Sequence, residues 1–141
     1  MKTLFIILLG LSLLSDDELT PKNVYNYCIE QDIQYPEKET AQAIWETGWF
    51  KCSDCSLDKN NLFGFNTGGP YFKYDNWKES VDAYKRWQDT YYDSTRDYYN
   101  FLACIYTTNK GECIKYCEDP DTYSKCLKQT ILIHEDTWKN N

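Results

Sequence analysis

Repeated helix-start signals constrain the fold of this chain more than any other feature. Thr20-Pro21 and Asp119-Pro120 each place a capping residue before a proline, and Pro36 opens another segment. Asn76 followed by Glu79 has the spacing of a capping box, which predicts a further helix. No long alternation of apolar and polar residues indicates a large sheet. The sequence therefore predicts a mainly α fold, in which short helices are joined by loops.

Apolar residues at helical spacing indicate which faces are buried. The clearest stripe follows Asn76 and consists of Trp77, Val81, Tyr84, Trp87 or Gln88, and Tyr91. We interpret Trp77, Tyr84 and Trp87 as core. A fourth helix is predicted to begin at Asp93 or Ser94 and to bury Tyr98, Leu102 and Ile105. Residues 50–74 and 110–118 are predicted to be loops. His134, the single histidine, lies on the stripe of the last helix and is interpreted as structural.

The first 15 residues have the pattern of a secretory signal peptide. Lys2 precedes an apolar run, Leu4–Leu14, and acidic residues follow at once. The run is shorter than the ~20 apolar residues that a membrane-spanning helix needs. We expect residues 1–15 to be the signal and residues 16–141 to form one exported, periplasmic or extracellular domain. A short uncleaved anchor or a buried helix is the alternative.

Cysteine is abundant in this chain. The seven cysteines are Cys28, Cys52, Cys55, Cys104, Cys113, Cys117 and Cys126. Together with an export signal they predict disulfides, with one thiol left over or paired between chains, and the pairing stays open. A zinc site built from Cys52, Cys55, Cys113 and Cys117 is the alternative.

The charge balance of the chain is acidic. The formal net charge is −7, and loss of residues 1–15 would remove Lys2 alone among the charged residues. Phosphate contacts require a basic face, so nucleic acid is an unsuitable partner. Electrostatic docking on anionic membranes is disfavoured for the same reason. A carbohydrate substrate remains compatible with this charge.

Glu46 is the clearest candidate for a catalytic residue. It lies in the last turn of the predicted second helix, between Trp45 and Trp49. The partial negative charge at a helix C-terminus and the apolar neighbours both disfavour its ionised form. A raised pKa is what a general acid near neutral pH requires. The alternative is a surface glutamate that solubilises the helix end.

Four motifs occur in the order found in a known family. They are Ala41–Trp49, which matches A-Q-A-x-x-E-[ST]-G-W, then Asn61–Gly64 (N-L-F-G), the aromatic segment Tyr71–Tyr84, and Tyr116–Leu127 with its Asp-Pro pair. On these residues the chain resembles the glucosaminidase-type peptidoglycan hydrolases of the lysozyme superfamily. The resemblance covers roughly residues 20–130.

The resemblance implies a fold, an activity and a catalytic acid. The fold would be a small lysozyme-like helical domain with a reduced β-lobe, stabilised by disulfides. The monomeric enzyme would need no cofactor and would hydrolyse the β-1,4 bond between N-acetylglucosamine and N-acetylmuramic acid, with Glu46 as proton donor. The alternatives are a muramidase or lytic transglycosylase that acts on the other bond, a catalytically weak peptidoglycan-binding module, and a secreted interaction protein.

A second catalytic carboxylate is harder to place. Many members carry an extended β-lobe that supplies it, whereas residues 65–70 contain no acid here. Asp75 is the nearest acid after that segment and is our candidate, because Glu79 is better explained as a capping residue. An inverting enzyme needs its two carboxyl groups ~6.5–9.5 Å apart. Without a second one, the 2-acetamido group of the substrate would act as the nucleophile.

The substrate-binding residues are predicted from the same motifs. Asn61 and Phe63 would line the sugar cleft, and Tyr71 and Tyr74, with Phe72 between them, would stack on pyranose rings. The alternative for each of these residues is packing within the domain.

Overall fold

The computed structural model describes residues 17–140 and is mainly helical, as predicted. The α-helices are α1 (Pro21–Glu30), α2 (Pro36–Glu46), α3 (Trp77–Tyr91), α4 (Tyr98–Ala103) and α5 (Pro120–Lys139). A short 3-10 helix spans Ser56–Lys59, and strands β1 (Tyr106–Thr107) and β2 (Cys113–Ile114) form an antiparallel pair.

The predicted capping residues begin three of these helices. The Thr20 hydroxyl accepts a hydrogen bond from the backbone N–H of Asn23 at 3.1 Å. The Asn76 side chain accepts one from the N–H of Glu79 at 3.2 Å, and the Glu79 carboxylate accepts one from the N–H of Asp75 at 3.0 Å. The side chain of Asp119 caps α5 in the same way. These caps satisfy N–H groups that have no partner within the helix.

Helix α2 lies at the centre of the domain. It packs against both α1 and α5, and residues 39–44 are all buried. The small side chains of Ala41 and Ala43 let neighbouring elements approach closely, while Ile44 adds apolar area. The helix can therefore hold its C-terminal residue, Glu46, at a fixed position in the fold.

A left-handed turn ends α2 immediately after Glu46. Gly48, Trp49 and Phe50 have φ values of +53°, +62° and +59°. The Thr47 hydroxyl donates to the Ala43 carbonyl at 2.6 Å and accepts from the N–H of Phe50 at 3.1 Å. Gly48 adopts this conformation without strain, because it has no side chain. The same backbone conformation at two bulky residues costs about 1–2 kcal/mol for each of them.

The region after α3 differs from the prediction. The fourth helix begins at Tyr98 with Asp97 as its cap, because the Asp93 side chain accepts from the N–H of Thr95 at 2.9 Å and stabilises a separate turn. Ile105 is buried but follows the helix. A β-hairpin of β1 and β2 occupies part of the predicted loop.

Two disulfides are present, Cys52–Cys55 and Cys104–Cys113. Cys28, Cys117 and Cys126 are free thiols, so the expectation of a single leftover thiol was wrong. The zinc alternative is also wrong, because three of its four cysteines are in disulfides. Among residues 17–140, no group of three or more potential ligands could hold a metal ion.

The predicted signal segment, residues 1–15, lies outside the described residues. Within residues 17–140, none of the helices has both the length and the apolar character needed to cross a membrane.

Candidate active site

Glu46 is half-buried at the C-terminal end of α2. Its Oε1 accepts a hydrogen bond of 2.8 Å from the hydroxyl of Tyr123, the fourth residue of α5. Its Oε2 lies on the side of Gly64, 3.5 Å from the position that a Cβ at residue 64 would occupy. One carboxylate oxygen is thus held by a donor from the core, and the other faces the loop that follows the 3-10 helix.

The surroundings of Glu46 favour its protonated form. Burial raises the pKa of the Glu46 carboxyl above its ordinary value, and the hydrogen bond from Tyr123 lowers it by a smaller amount. Burial and the nearby Glu46 raise the pKa of Tyr123 well above its usual range, so its hydroxyl remains a donor. A protonated carboxyl with a fixed orientation can give a proton to a bound group.

Gly64 lets the loop pass directly over Glu46. Its φ of +67° is in the left-handed region, where a side chain is strained. Cε1 of the Tyr71 ring lies 3.8 Å from the same Cβ position that the Glu46 carboxylate approaches. The Asn-Leu-Phe-Gly motif thus places Gly64 next to both the carboxylate and an exposed aromatic ring.

Asn61 holds this loop in its conformation. The side chain is fully buried, at 0% exposure. Its Nδ2 donates to the carbonyls of Phe65 (2.8 Å) and Phe72 (3.1 Å), and its Oδ1 accepts from the N–H of Phe65 at 3.0 Å. The carboxamide is therefore engaged with the backbone on both arms of the loop. These contacts indicate that Asn61 positions the loop.

The other predicted binding residues have different environments. Phe63 is 2% exposed and packs on Tyr84 with 4.5 Å between ring centroids, although its edge reaches the groove described next. Tyr71 is 46% exposed and lies beside Gly64. Tyr74 is half-buried and lines the outer part of that groove. Tyr71 is thus the member of the set that combines exposure with proximity to Glu46.

An aromatic groove begins at Gly64 and crosses α3 to the β-hairpin. Its inner part, the inner groove, has a volume of about 280 Å³, and Gly64, Lys115 and Tyr116 belong to its lining. Its outer part, the outer groove, has a volume of about 590 Å³, and Tyr74, Arg86, Tyr91, Tyr106 and Ile114 belong to its lining. Phe65, Asn66, Trp87 and Ile105 line both parts, so the two adjoin. None of the described residues that line them is acidic.

Asp75 lies apart from this groove. It precedes the cap of α3, is exposed, and donates its backbone N–H to Glu79. Its carbonyl accepts from the Asn60 side chain at 3.1 Å. The structure does not include Asp75 in the lining of either part of the groove.

Trp45 and Trp49 line a different groove, between the end of α2 and α5. This groove has a volume of about 490 Å³ and is also lined by Cys126, Ile133 and His134. His134 lies edge-on to Trp49, with 4.6 Å between the ring centroids, which agrees with a structural role. The contacts recorded for Glu46 come instead from Tyr123 and the Gly64 loop.

Sequence reasoning missed two contributors to the site. Tyr123 was considered as part of the Tyr116–Leu127 motif and given no role in the site, yet its hydroxyl bonds Glu46. Trp87 was interpreted as core, yet it lines both parts of the groove. The position of Tyr123 three residues after Pro120, within a motif of the resembled family, was a signal that could have identified it.

Comparison with protein families assigns the chain to the glycoside hydrolases. The model of the Glucosaminidase family, described as mannosyl-glycoprotein endo-beta-N-acetylglucosaminidase, matches residues 23–140, and the chain belongs to this family. The resemblance drawn from the four sequence motifs is thereby confirmed. Neither a curated protein nor a solved structure matches the chain.

The family and the disulfides also bear on location. Disulfides form and persist in oxidising compartments, and two are present here. Together with a family of cell-wall hydrolases, they favour an extracellular or periplasmic location.

Proposed function

We propose that this protein hydrolyses the β-1,4 bond between N-acetylglucosamine and N-acetylmuramic acid in peptidoglycan, with Glu46 as the general acid. The observation that carries the proposal is the environment of Glu46. Its carboxyl group is held by Tyr123 at 2.8 Å on one oxygen, while the other oxygen faces Gly64 in the lining of the inner groove. Burial raises its pKa, which is the direction that a general acid requires.

The first chemical step breaks the bond between the anomeric carbon and the bridging oxygen. Glu46 transfers its proton to the bridging oxygen, so that the leaving sugar departs as an alcohol. The carbonyl oxygen of the 2-acetamido group then bonds to the anomeric carbon and forms a cyclic oxazolinium. Water opens this ring, and the ionised Glu46 accepts a proton from that water.

The lining of the groove favours this substrate-assisted route over a second carboxylate. Glu46 lies beside Gly64, which lines the inner groove, and the described residues that line the inner and outer groove provide aromatic, amide and basic groups but no acid. Asp75, the candidate for a second carboxylate, is exposed near the start of α3. We therefore propose Glu46 as the acid and Tyr123 as its positioning residue.

We propose that sugar rings lie along the inner groove. Tyr71, beside Gly64, and Trp87, on its floor, offer ring faces that pair with the C–H faces of pyranoses. Asn61 would act indirectly, by holding the loop that carries Gly64.

Product analysis tests this function directly. Purified peptidoglycan is digested, the new reducing ends are reduced with borohydride, and the fragments are identified by mass spectrometry. We expect reduced N-acetylglucosamine ends, and none with Glu46→Gln. Glu30→Gln is the matched control, because Glu30 also ends a helix, α1, but is exposed. Reduced or anhydro-muramic ends would contradict the proposed bond, and absence of cleavage by the folded wild-type protein would contradict the enzyme.

A further inference from the structure

The outer groove has more binding capacity than one sugar ring beside Glu46 requires. Its volume of about 590 Å³ is roughly twice that of the inner groove, about 280 Å³. Volumes of ~300–1,000 Å³ are typical of sites for drug-sized ligands. A ligand that extends beyond the reacting sugars would therefore reach the outer groove.

The β-hairpin builds the far wall of the outer groove. Tyr106 of β1 stacks on Tyr91 of α3, with 5.6 Å between the ring centroids and 19° between their planes. Both rings remain substantially exposed, at 47% and 43%. The Cys104–Cys113 disulfide joins the two arms of the hairpin, and Arg96 donates to the carbonyls of Cys104 and Ile105 at its base. The wall is thus fixed in place while its apolar surface faces solvent.

Positive charge accompanies this apolar surface. Arg86 of α3 lines the outer groove and Lys115 lines the inner groove, in a chain of net charge −7. Arg86 takes part in none of the ion pairs found among residues 17–140. Its neighbour Lys85, in contrast, pairs with Asp89 at 2.5 Å. An unneutralised guanidinium beside apolar rings suits a ligand that carries both a carboxylate and small apolar side chains.

We infer that the outer groove binds the stem peptide of the muramoyl residue next to the cleaved bond, with Arg86 pairing with a peptide carboxylate. This inference rests on the proposed function. Amino-sugar backbones are uncharged, whereas the peptide attached to the lactyl group of muramic acid carries free carboxylates. Because the inner and outer groove share four lining residues, the peptide substituent of a sugar beside Gly64 would extend toward the outer groove, which Arg86 and Tyr106 line.

Two soluble substrates test the inference. One is uncrosslinked glycan strands that retain their stem peptides, and the other is the same strands after an amidase has removed the peptides. We expect wild-type protein to cut the peptide-bearing strands with a higher kcat/KM. Arg86→Gln should lower that kcat/KM about two- to fivefold, since an exposed charge pair contributes modestly, and should leave cleavage of the stripped strands unchanged.

Lys85→Gln is the matched control, because it removes the same charge from the adjacent position outside the groove. Equal effects of Arg86→Gln on both substrates, or equal effects of Arg86→Gln and Lys85→Gln, would overturn the inference. Tyr106→Ala should repeat the selective loss; a loss on stripped strands as well would assign the outer groove to further sugars instead.

A binding measurement separates this inference from the proposed function. Stem peptide released by the amidase is titrated against the full protein by NMR. Glu46→Gln should bind it as the wild type does, and Arg86→Gln should bind it more weakly. Peptide binding without any glycan cleavage would contradict the proposed function alone. Cleavage without Arg86-dependent peptide binding would contradict this inference alone.

Discussion

Two glutamates on α2, Glu39 and Glu46, differ in their exposure to solvent and in their hydrogen bonding. Glu39, near the start of the helix, is fully buried, and neither of its carboxylate oxygens has a hydrogen-bond partner. Glu46, at the end, is half-buried, accepts a hydrogen bond from Tyr123, and lies beside Gly64. Burial raises the pKa of both carboxyls, and that of Glu39 is raised well above its ordinary value, with a smaller opposing effect from the Cys28 thiol.

The difference shows that a raised pKa does not by itself make a catalytic acid. Burial supplies the proton at both positions, but proton transfer also requires access to a substrate and a fixed orientation. Glu46 is partly exposed, which allows access, and the hydrogen bond from Tyr123 fixes its orientation. Glu39 has neither, so we expect its burial to affect stability and not the reaction.

The largest expected effect comes from Glu46→Gln. The amide keeps the size of the side chain but cannot donate the proton that cleavage needs, so the hydrolysis rate should fall ~10²–10⁴-fold. Thermal unfolding should be nearly unchanged, because the ionised form of Glu46 is not favoured by the fold. Rates on purified glycan strands, measured beside melting curves, check both expectations. The same substitution at Glu39 should leave activity near normal, and comparable losses in the two folded variants would erase the distinction.

Next in size is the effect of Glu39→Gln on stability. Because the folded protein holds the Glu39 proton to a higher pH than the unfolded chain does, stability falls as pH rises from the unfolded pKa, ~4.3, through the raised folded pKa. The glutamine variant lacks this loss and should be more stable by about 1–3 kcal/mol at the alkaline end. Thermal unfolding from about pH 4 to 9 measures it. The two curves should converge at low pH; a gap independent of pH would argue against a buried carboxyl.

A smaller effect is expected from Tyr123→Phe. Loss of the hydroxyl removes the hydrogen bond that orients Glu46, and kcat should fall by about tenfold. Because that bond lowers the pKa of Glu46, its loss should move the alkaline limb of the kcat/KM profile to higher pH. Tyr99→Phe is the control, since Tyr99 is half-buried at a distance from Glu46, beside Lys38 and Lys128. A lower rate with an unmoved alkaline limb would mean that Tyr123 acts through folding alone.

The smallest effect is expected from Asp75→Asn. Its carboxylate lies outside the lining of the groove, and the contacts recorded at this residue use its backbone N–H and carbonyl. The rate should therefore stay within about threefold of wild type, as for most surface substitutions. If folded Asp75→Asn were as inactive as Glu46→Gln, the result would contradict substrate assistance and support a two-carboxylate mechanism.

Local features of the fold were predictable from the sequence, and features set by distant contacts were not. Helix starts at Thr20, Asn76 and Asp119 depend on side chains that bond the backbone three residues later, so their spacing is visible in the sequence. The hydroxyl of Tyr123 reaches Glu46 across 77 residues of sequence, and only the packing of α5 on α2 brings them together. The disulfide pairing also depends on such placement, which is why three thiols remain free where one was expected.

The candidate site was predicted in part for the same reason. The position of Glu46 at a helix end follows from Pro36 and Gly48, which bound α2 in the sequence. Its desolvation was ascribed to the adjacent tryptophans, but Trp45 and Trp49 line another groove. Neighbours in sequence at a helix end point in different directions, so the apolar surroundings of one side chain cannot be inferred from the residues next to it.

The left-handed turn after Glu46 has a consequence for protein engineering. Trp49 and Phe50 have positive φ values, a conformation that glycine adopts without strain. A thermostability selection would therefore find glycine or asparagine enriched at residue 49, where the lost ring contacts His134 and not the groove beside Glu46. Insertions in this turn should be poorly tolerated, because an added residue would change the direction in which the chain leaves the end of α2. We therefore expect substitution at residue 49 to raise thermal stability, and a change in the length of this turn to disrupt the fold.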